Sequence, residues 1–259
     1  MIEVATAAAK RAGEILLSHW RKLPPGSVEE KAKNDFVSIA DRESERAIVE
    51  TILGSFPGDG ILGEEGARRP GTSGREWVID PLDGTSNFIA GFPFWCVSIG
   101  VRQAGETLAG VVWDPLRGEL YRAERGSGAF RNGDRLAVSR RPSAEGAFLA
   151  TGFPFREHAK IDEYLAIFRA LFLEAKAIRR AGSAALDLAC VASGVFDGFF
   201  EFRLSPWDIA AGAALITEAG GVLRDFEGGN RCFETGDVLA GPPGVVDDVL
   251  RVIQAARER

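Results

Sequence analysis

The stretch WVIDPLDGTSNF at 77–88 is an apolar run that ends in two aspartates, Asp80 and Asp83, three positions apart. Carboxylates at the end of a buried strand are costly unless a positive partner meets them. Pro81 stiffens the turn, and Gly84 permits a backbone approach that a side chain would block. A D-P-L-D-G-T turn can aim both carboxylates and the Leu82 carbonyl at one point. That is an all-oxygen set of the kind hard cations such as Mg2+ take. Directly after it, the N–H groups of Gly84, Thr85 and Ser86 can open a short helix, and a helix start attracts anions. Cations beside an anion cradle point to phosphoryl transfer. Several converging carboxylates point to more than one ion.

Four further acids stand out: Asp41, Glu64, Glu65 and Asp208. Each has an ordinary role available. Asp41 stands at or near a helix N-cap, Ser205-Pro206-Trp207-Asp208 has the form of a capping box, and Glu64-Glu65 in LGEEG suits a solvated turn. Water is the default phosphoryl acceptor, because the chain has no G-x-x-x-x-G-K-[ST] loop and no kinase motif set. DPLDGT superficially resembles the D-x-D-G-T of haloacid-dehalogenase-like phosphatases, but its aspartates are three apart rather than two and lie far from the N-terminus. GSGAFRNG at 126–133 fails the G-x-G-x-x-G pattern, because Arg131 replaces the last glycine, and is expected to be a structural turn. The two histidines offer little: His19 has the spacing of a helix face and His158 sits in a polar loop. Cys96, Cys190 and Cys232 lack CxxC spacing, which disfavours a zinc site or a disulfide framework.

Periodicity and turn residues outline the elements that must position these groups. An amphipathic helix is expected over 2–22, closed by Pro24-Pro25-Gly26, and a second over 41–54, stopped by Gly54. GARRPGTSG at 66–74 reads as a loop. Strand signals at 76–79, 96–102, 107–113 and 119–123, joined by tight turns, suggest an antiparallel sheet. SRRPSAEG, around 140–146, marks a boundary between an N-terminal α+β domain over 1–140 and a C-terminal α/β domain over 141–259. Beyond it, helices at 159–174, 183–193, 206–219 and 243–257 alternate with strands near 176–179, 196–202 and 221–225, which suggests a second, mixed layer.

The 259 residues suffice for a large core and one or two domains. A net charge of -6, from 31 basic and 37 acidic residues, disfavours an extensive nucleic-acid surface but leaves room for a local basic pocket. No apolar run approaches the roughly 20 residues of a membrane span. The charged N-terminus does not look like a secretory signal, and a reducing cytoplasm is the expected setting.

At these residues the sequence resembles the inositol monophosphatase family of metal-dependent, lithium-sensitive phosphatases. LGEEG at 62–66, WVIDPLDGTSNF at 77–88 and SPWDIAAGAALITEAGG at 205–221 match its signatures in order and spacing. KAKNDFVSIADRESE at 31–45, GSGAFRNG at 126–133 and GSAALDLACVASG at 182–194 match as well, so the resemblance covers nearly the whole chain. It implies an α/β (α+β) fold, a layered αβαβα sandwich of the inositol monophosphatase and fructose-1,6-bisphosphatase type, usually a homodimer. It further implies two to three Mg2+ ions, with Mn2+ a possible substitute. Glu64, Asp80 and the Leu82 carbonyl would hold the first ion, and Asp80, Asp83 and Asp208 the second. A third, mostly hydrated, would lie near Glu64. Asp41 and Thr85 would polarise the attacking water, and the N–H groups of Gly84 and Thr85 would bind phosphate. Gly182, Ser183, Ala184 and Glu201 would face the hydroxyls of a cyclitol or sugar.

The activity implied is hydrolysis of inositol monophosphate or a similar polyol or sugar phosphate by direct attack of metal-activated water. Fructose 1,6-bisphosphate, histidinol phosphate and 3′-phosphoadenosine 5′-phosphate are same-fold alternatives, and a regulatory binding protein is a different-class one. Ser38 and Ser183 stand where the family often has Thr. Lys31 and Lys33 compete for one family position and are left out of the site. Arg156, Arg179, Arg180 and Arg203 suit a second phosphate, but each is better read as ordinary surface charge. Glu201 favours a hydroxyl-rich substrate, since it would repel a phosphate placed there.

Overall fold

The computed structural model describes residues 1–257 except 25, 33, 34 and 155–157, and the side chains of 31, 32, 35 and 158 fall outside that description. Lys33, Arg156 and the Lys31 side chain therefore lie outside the described residues. Among the rest, two sheets alternate with three helical layers. The larger sheet has eight strands in the spatial order Asp134–Arg135, Gly128–Arg131, Glu119–Glu124, Glu106–Asp114, Cys96–Gln103, Arg75–Asp83, Gly60–Gly63 and Arg68–Arg69. Every neighbouring pair in it is antiparallel except Gly60–Gly63 with Arg75–Asp83. The smaller sheet is mixed, in the order Ala177–Arg179, Phe148–Thr151, Gly198–Glu201, Val238–Gly241 and Val222–Arg224.

Each layer follows from where apolar side chains fall on the elements. Helices Ile2–His19 and Ile39–Ser55 turn Ala5, Ala8, Ala12, Leu16, Ile48 and Ile52 onto one face of the eight-stranded sheet, against Trp77, Ile79, Ile99 and Val111. Helices Ala184–Ala192 and Pro206–Glu218 lie between the sheets. Their Leu186, Leu188, Ile209 and Leu215 share one cluster with Val112 and Tyr121 of the first sheet and with Phe199 and Ala240 of the second. Gly100 and Gly110 let the second of these helices approach closely: a Cβ at Gly100 would meet that of Ala210 at 2.4 Å. Helices Ile161–Glu174 and Pro243–Arg257 cover the outer face of the smaller sheet through Tyr164, Ile167, Leu171, Val249 and Ile253. This is the αβαβα sandwich that the resemblance implied. Among the described residues no helix is long and apolar enough to cross a membrane.

Several elements depart from the expectations. The first helix ends at His19, because Trp20 already has extended backbone angles. The second begins at Ile39 and runs past Gly54 to Ser55, with Ser38 as N-cap and Asp41, near the cap as expected, closing the capping box as its third residue. The strand expected over 76–79 extends from Arg75 to Asp83 and so carries both aspartates. The hairpin Val28–Ala32/Asp35–Ser38 and the strands Gly60–Gly63, Phe148–Thr151 and Val238–Gly241 were not expected, nor were Asp134–Arg135 and Gly128–Arg131, the latter inside the stretch read as a turn, since runs this short carry too little periodicity to be read. The 66–74 loop includes the two-residue strand Arg68–Arg69.

Candidate active site

Asp80 and Asp83 reach one face through an irregularity in the ladder. Residues three apart on a regular strand point to opposite faces. Here Asp80 pairs with Ser98 and Asp83 with Cys96, so three steps on one strand oppose two on its neighbour. The extra residue turns Asp83 to the side that Asp80 already uses. Pro81, with no N–H to give the ladder, lies inside this bulge. Gly84 then takes a left-handed φ of 96° and caps the short helix Thr85–Ala90. Phe88 anchors that helix, with its ring 5.2 Å from Trp20 and 5.0 Å from Trp95.

Other elements deliver the remaining acids. Asp208 is the third residue of helix Pro206–Glu218, where the Ser205 N–H donates to its Oδ2 at 2.7 Å. Glu64 leaves the strand Gly60–Gly63, and its N–H donates to the Ile79 carbonyl at 3.1 Å, directly beside Asp80. One carboxylate oxygen from each of Asp80, Asp83 and Asp208 lies within 4.8 Å of the others. Burial pushes the Asp80 carboxyl well above its ordinary value, and the charges of Glu64, Asp83 and Asp208 add to the push. Burial likewise raises Asp208, reinforced by Asp83 and Glu64. Asp83 is raised by burial but held back by the Ser183 hydroxyl at 2.6 Å and the Ala185 N–H at 2.7 Å. The Ser183 hydroxyl, expected on the substrate side, thus faces one of the three clustered carboxylates. Buried carboxylates this close call for a cation. Their hard oxygen donors suit Mg2+ or Mn2+. The nearby Cys96 thiol, 4.0 Å from Asp83, is held protonated by burial and adds no thiolate.

Beside this cluster stands a second pair. The Thr85 hydroxyl lies 3.0 Å from Asp41 Oδ1 and 3.0 Å from the Leu82 carbonyl oxygen. Asp41 Oδ2 accepts from the Ser38 N–H at 2.9 Å and its hydroxyl at 2.5 Å. Burial raises the Asp41 carboxyl, while these hydrogen bonds oppose the rise.

All of this opens onto a cavity of ≈ 420 Å³, within the range of small-molecule sites. Glu64, Asp80, Leu82, Asp83 and Asp208 line it, as do Gly84, Thr85 and Ser86. Gly182, Ser183, Ala184 and Glu201 line it too. Asp41 lies behind the wall and reaches it through Thr85. Glu65 is absent from the lining; its N–H donates to the buried Glu45 carboxylate at 2.9 Å. Arg180 and Arg203 line the cavity, in contrast to the surface charge expected, whereas Arg179 stacks over Phe148 with 4.9 Å to the ring centre.

Sequence reasoning missed three contributors. Glu45 holds the turn after Glu64 by accepting from Glu65 and Ala67. Asn87 Nδ2 donates to the Phe94 and Ala181 carbonyls at 2.6 and 2.9 Å and so ties the 77–88 segment to the residues that lead into helix Ala184–Ala192. Its place in the quoted motif was the only signal. Asp187, buried in the cavity wall, likewise offered only its place in GSAALDLACVASG.

The profile of the inositol monophosphatase family matches residues 1–258. A curated relative named Nus factor SuhB, from Escherichia coli strain K12, is 46% identical over 251 residues, 96% of this chain and 94% of that protein. The solved extragenic suppressor protein suhB from Bartonella henselae superposes with a TM-score of 0.94 at 40% identity over 97% of each chain. The inositol monophosphatase from Anabaena superposes with a TM-score of 0.88 at 36% identity over 98% of this chain and 95% of that one.

Proposed function

The chain belongs to the inositol monophosphatase family, and from that premise we propose that it is a Mg2+-dependent phosphomonoesterase acting on inositol monophosphate or a similar polyol or sugar phosphate. The observation that carries the proposal is the meeting of Asp80, Asp83 and Asp208 in one cavity with the Thr85–Asp41 pair. Glu64, Asp80 and the Leu82 carbonyl would hold one ion, Asp80, Asp83 and Asp208 a second, and a third would sit loosely near Glu64. Bound Mg2+, or Mn2+ in its place, supplies the positive charge that offsets these carboxylates and polarises the phosphoryl group.

The chain's own groups do the rest. Thr85 Oγ1 takes a proton from the attacking water as its own passes to Asp41 Oδ1, 3.0 Å away. The water oxygen bonds to phosphorus, the ester P–O bond breaks, the departing alkoxide takes a proton from solvent water and leaves as the alcohol, and Asp41 returns its own proton to solvent. Backbone N–H groups of Gly84, Thr85 and Ser86 hold the phosphate. Gly182, Ser183, Ala184 and Glu201 hold the hydroxyls of the alcohol. A homodimer in the cytoplasm and inhibition by Li+ belong to the same proposal and rest on the resemblance.

A second role is favoured by one finding, the name Nus factor carried by relatives at 46% identity. In it the chain would act by binding a regulatory partner. The deciding experiment is phosphate release with Mg2+ and with EDTA, using Asp83→Asn as the blank. The esters are inositol 1-phosphate, fructose 1,6-bisphosphate, histidinol phosphate and 3′-phosphoadenosine 5′-phosphate. Preference for the first supports the proposal as stated, and turnover of another changes only the substrate. Silence from folded protein favours the binding role.

A further inference from the structure

The cavity wall that presents Glu201 is built around a residue with no side chain. Glu201 ends the strand Gly198–Glu201, and Gly152 follows the strand Phe148–Thr151. The two strands run parallel with Thr151 beside Phe200, so the next step brings Gly152 beside Glu201. The Glu201 carboxyl lies directly on the glycine. A Cβ at position 152 would stand 1.8 Å from Oε1, 2.0 Å from Cδ and 2.3 Å from Oε2. Contacts that short cannot exist, so any side chain at 152 must move the carboxylate.

The backbone does not ask for glycine here. Gly84 and Gly182 have left-handed φ angles, which L side chains rarely adopt, but Gly152 is not among the residues of positive φ. Alanine is therefore conformationally permitted at 152, and the Glu201 carboxylate is what it would strike. The peptide is also held in place, since the Thr151 hydroxyl donates to the Gly152 carbonyl at 3.1 Å. Buried Asp187 shares the wall. Its Oδ1 has no hydrogen-bond partner, and Glu201 is the foremost charge acting on it.

We propose that Gly152 is a positioning residue for substrate selection: it leaves the space in which the Glu201 carboxylate lies, and so sets where the cavity accepts hydroxyl groups from the alcohol half of a phosphate ester. The inference rests on the phosphatase function proposed above. It favours esters of polyhydroxylated alcohols over esters with no hydroxyl to offer. A carboxylate accepts a hydroxyl hydrogen bond over a narrow distance range, so displacement by about an ångström breaks the contact.

The test measures kcat and KM for the wild type, Gly152→Ala, Glu201→Ala and the double variant, all with Mg2+. Two substrates are compared: inositol 1-phosphate, or the ester selected by the panel above, and p-nitrophenyl phosphate, which has no alcohol hydroxyl. Gly152→Ala is expected to raise KM for the polyol ester about tenfold, roughly the weight of one hydrogen bond to a charged group. Its effect on the aryl ester should stay within about twofold, because Glu201 has nothing to bind there. In the double variant the second change should add nothing, since the group that Gly152 accommodates is gone. If Gly152→Ala lowers the melting temperature through the clash, the double variant should recover it. Additive losses in the double variant, or equal losses on both esters, would overturn the inference. A wild type silent on both esters would overturn the phosphatase proposal and this inference with it.

Discussion

Asp41 and Asp208 begin alike and end in different chemistry. Each is the third residue of a helix whose N-cap is a serine, Ser38 in one case and Ser205 in the other. Each takes the cap's backbone N–H on Oδ2, at 2.9 and 2.7 Å. Beyond the cap they diverge. The other oxygen of Asp41 meets the Thr85 hydroxyl, so the carboxylate is enclosed by donors. The carboxylate of Asp208 meets Asp80 and Asp83, so it is enclosed by other acids. A capping box fixes where a carboxylate stands. What faces it decides which chemistry is open to it: donors in one case, further carboxylates in the other.

Substitution of each aspartate by asparagine sharpens the contrast. Asp208→Asn removes a charge that a cation needs, so Mg2+-dependent phosphate release should fall to the EDTA background, a loss of about a thousandfold or more. Calorimetric titration should show weaker Mg2+ binding in the same variant. Undiminished turnover would break the distinction. Asp41→Asn should cost less, about a hundredfold in kcat, because it removes a proton acceptor that works through Thr85. Its Mg2+ affinity should match the wild type, and a lowered affinity would place Asp41 with the cation ligands instead.

The smallest effect concerns stability without metal. Asp208 is raised well above the ordinary carboxylate range by burial and by Asp83 and Glu64. A raised group contributes its stability below the unfolded value, near pH 4, and loses it as pH climbs through the folded value. In EDTA, the melting temperature of the wild type should therefore fall relative to Asp208→Asn by a few degrees from acid to neutral pH. Mg2+ should cancel the difference. The same subtraction with Asp41→Asn should slope less, because the Ser38 and Thr85 hydrogen bonds oppose burial there.

Much of the site was legible because it is local. Asp80, Pro81, Asp83 and Gly84 lie within one turn, and their types alone suggested converging oxygens and a close backbone approach. The capping box at Ser205 was legible for the same reason. Glu64 was legible only through the family resemblance, since the strand that carries it, Gly60–Gly63, is too short to show a period, and its parallel partner lies a dozen residues on. Asp41 looked like a helix end, which it is, and nothing nearby announced Thr85. Asn87 and Glu45 act through main-chain atoms distant in sequence, and main-chain partners leave no mark on residue type.

The sequence by itself determined that helices begin at Ile2, Pro206 and Pro243, which turn carries the paired aspartates, and which family the motif order resembles. These depend on neighbours within a few positions or on ordered identity along the chain. Only the tertiary structure decided that Asp208 meets Asp80 and Asp83, that Thr85 meets Asp41, and that Glu201 rests on Gly152. The physical reason is that charge repulsion, hydrogen bonding and steric exclusion act over a few ångströms of space. Distance along the chain carries no record of them until sheets and helices have packed.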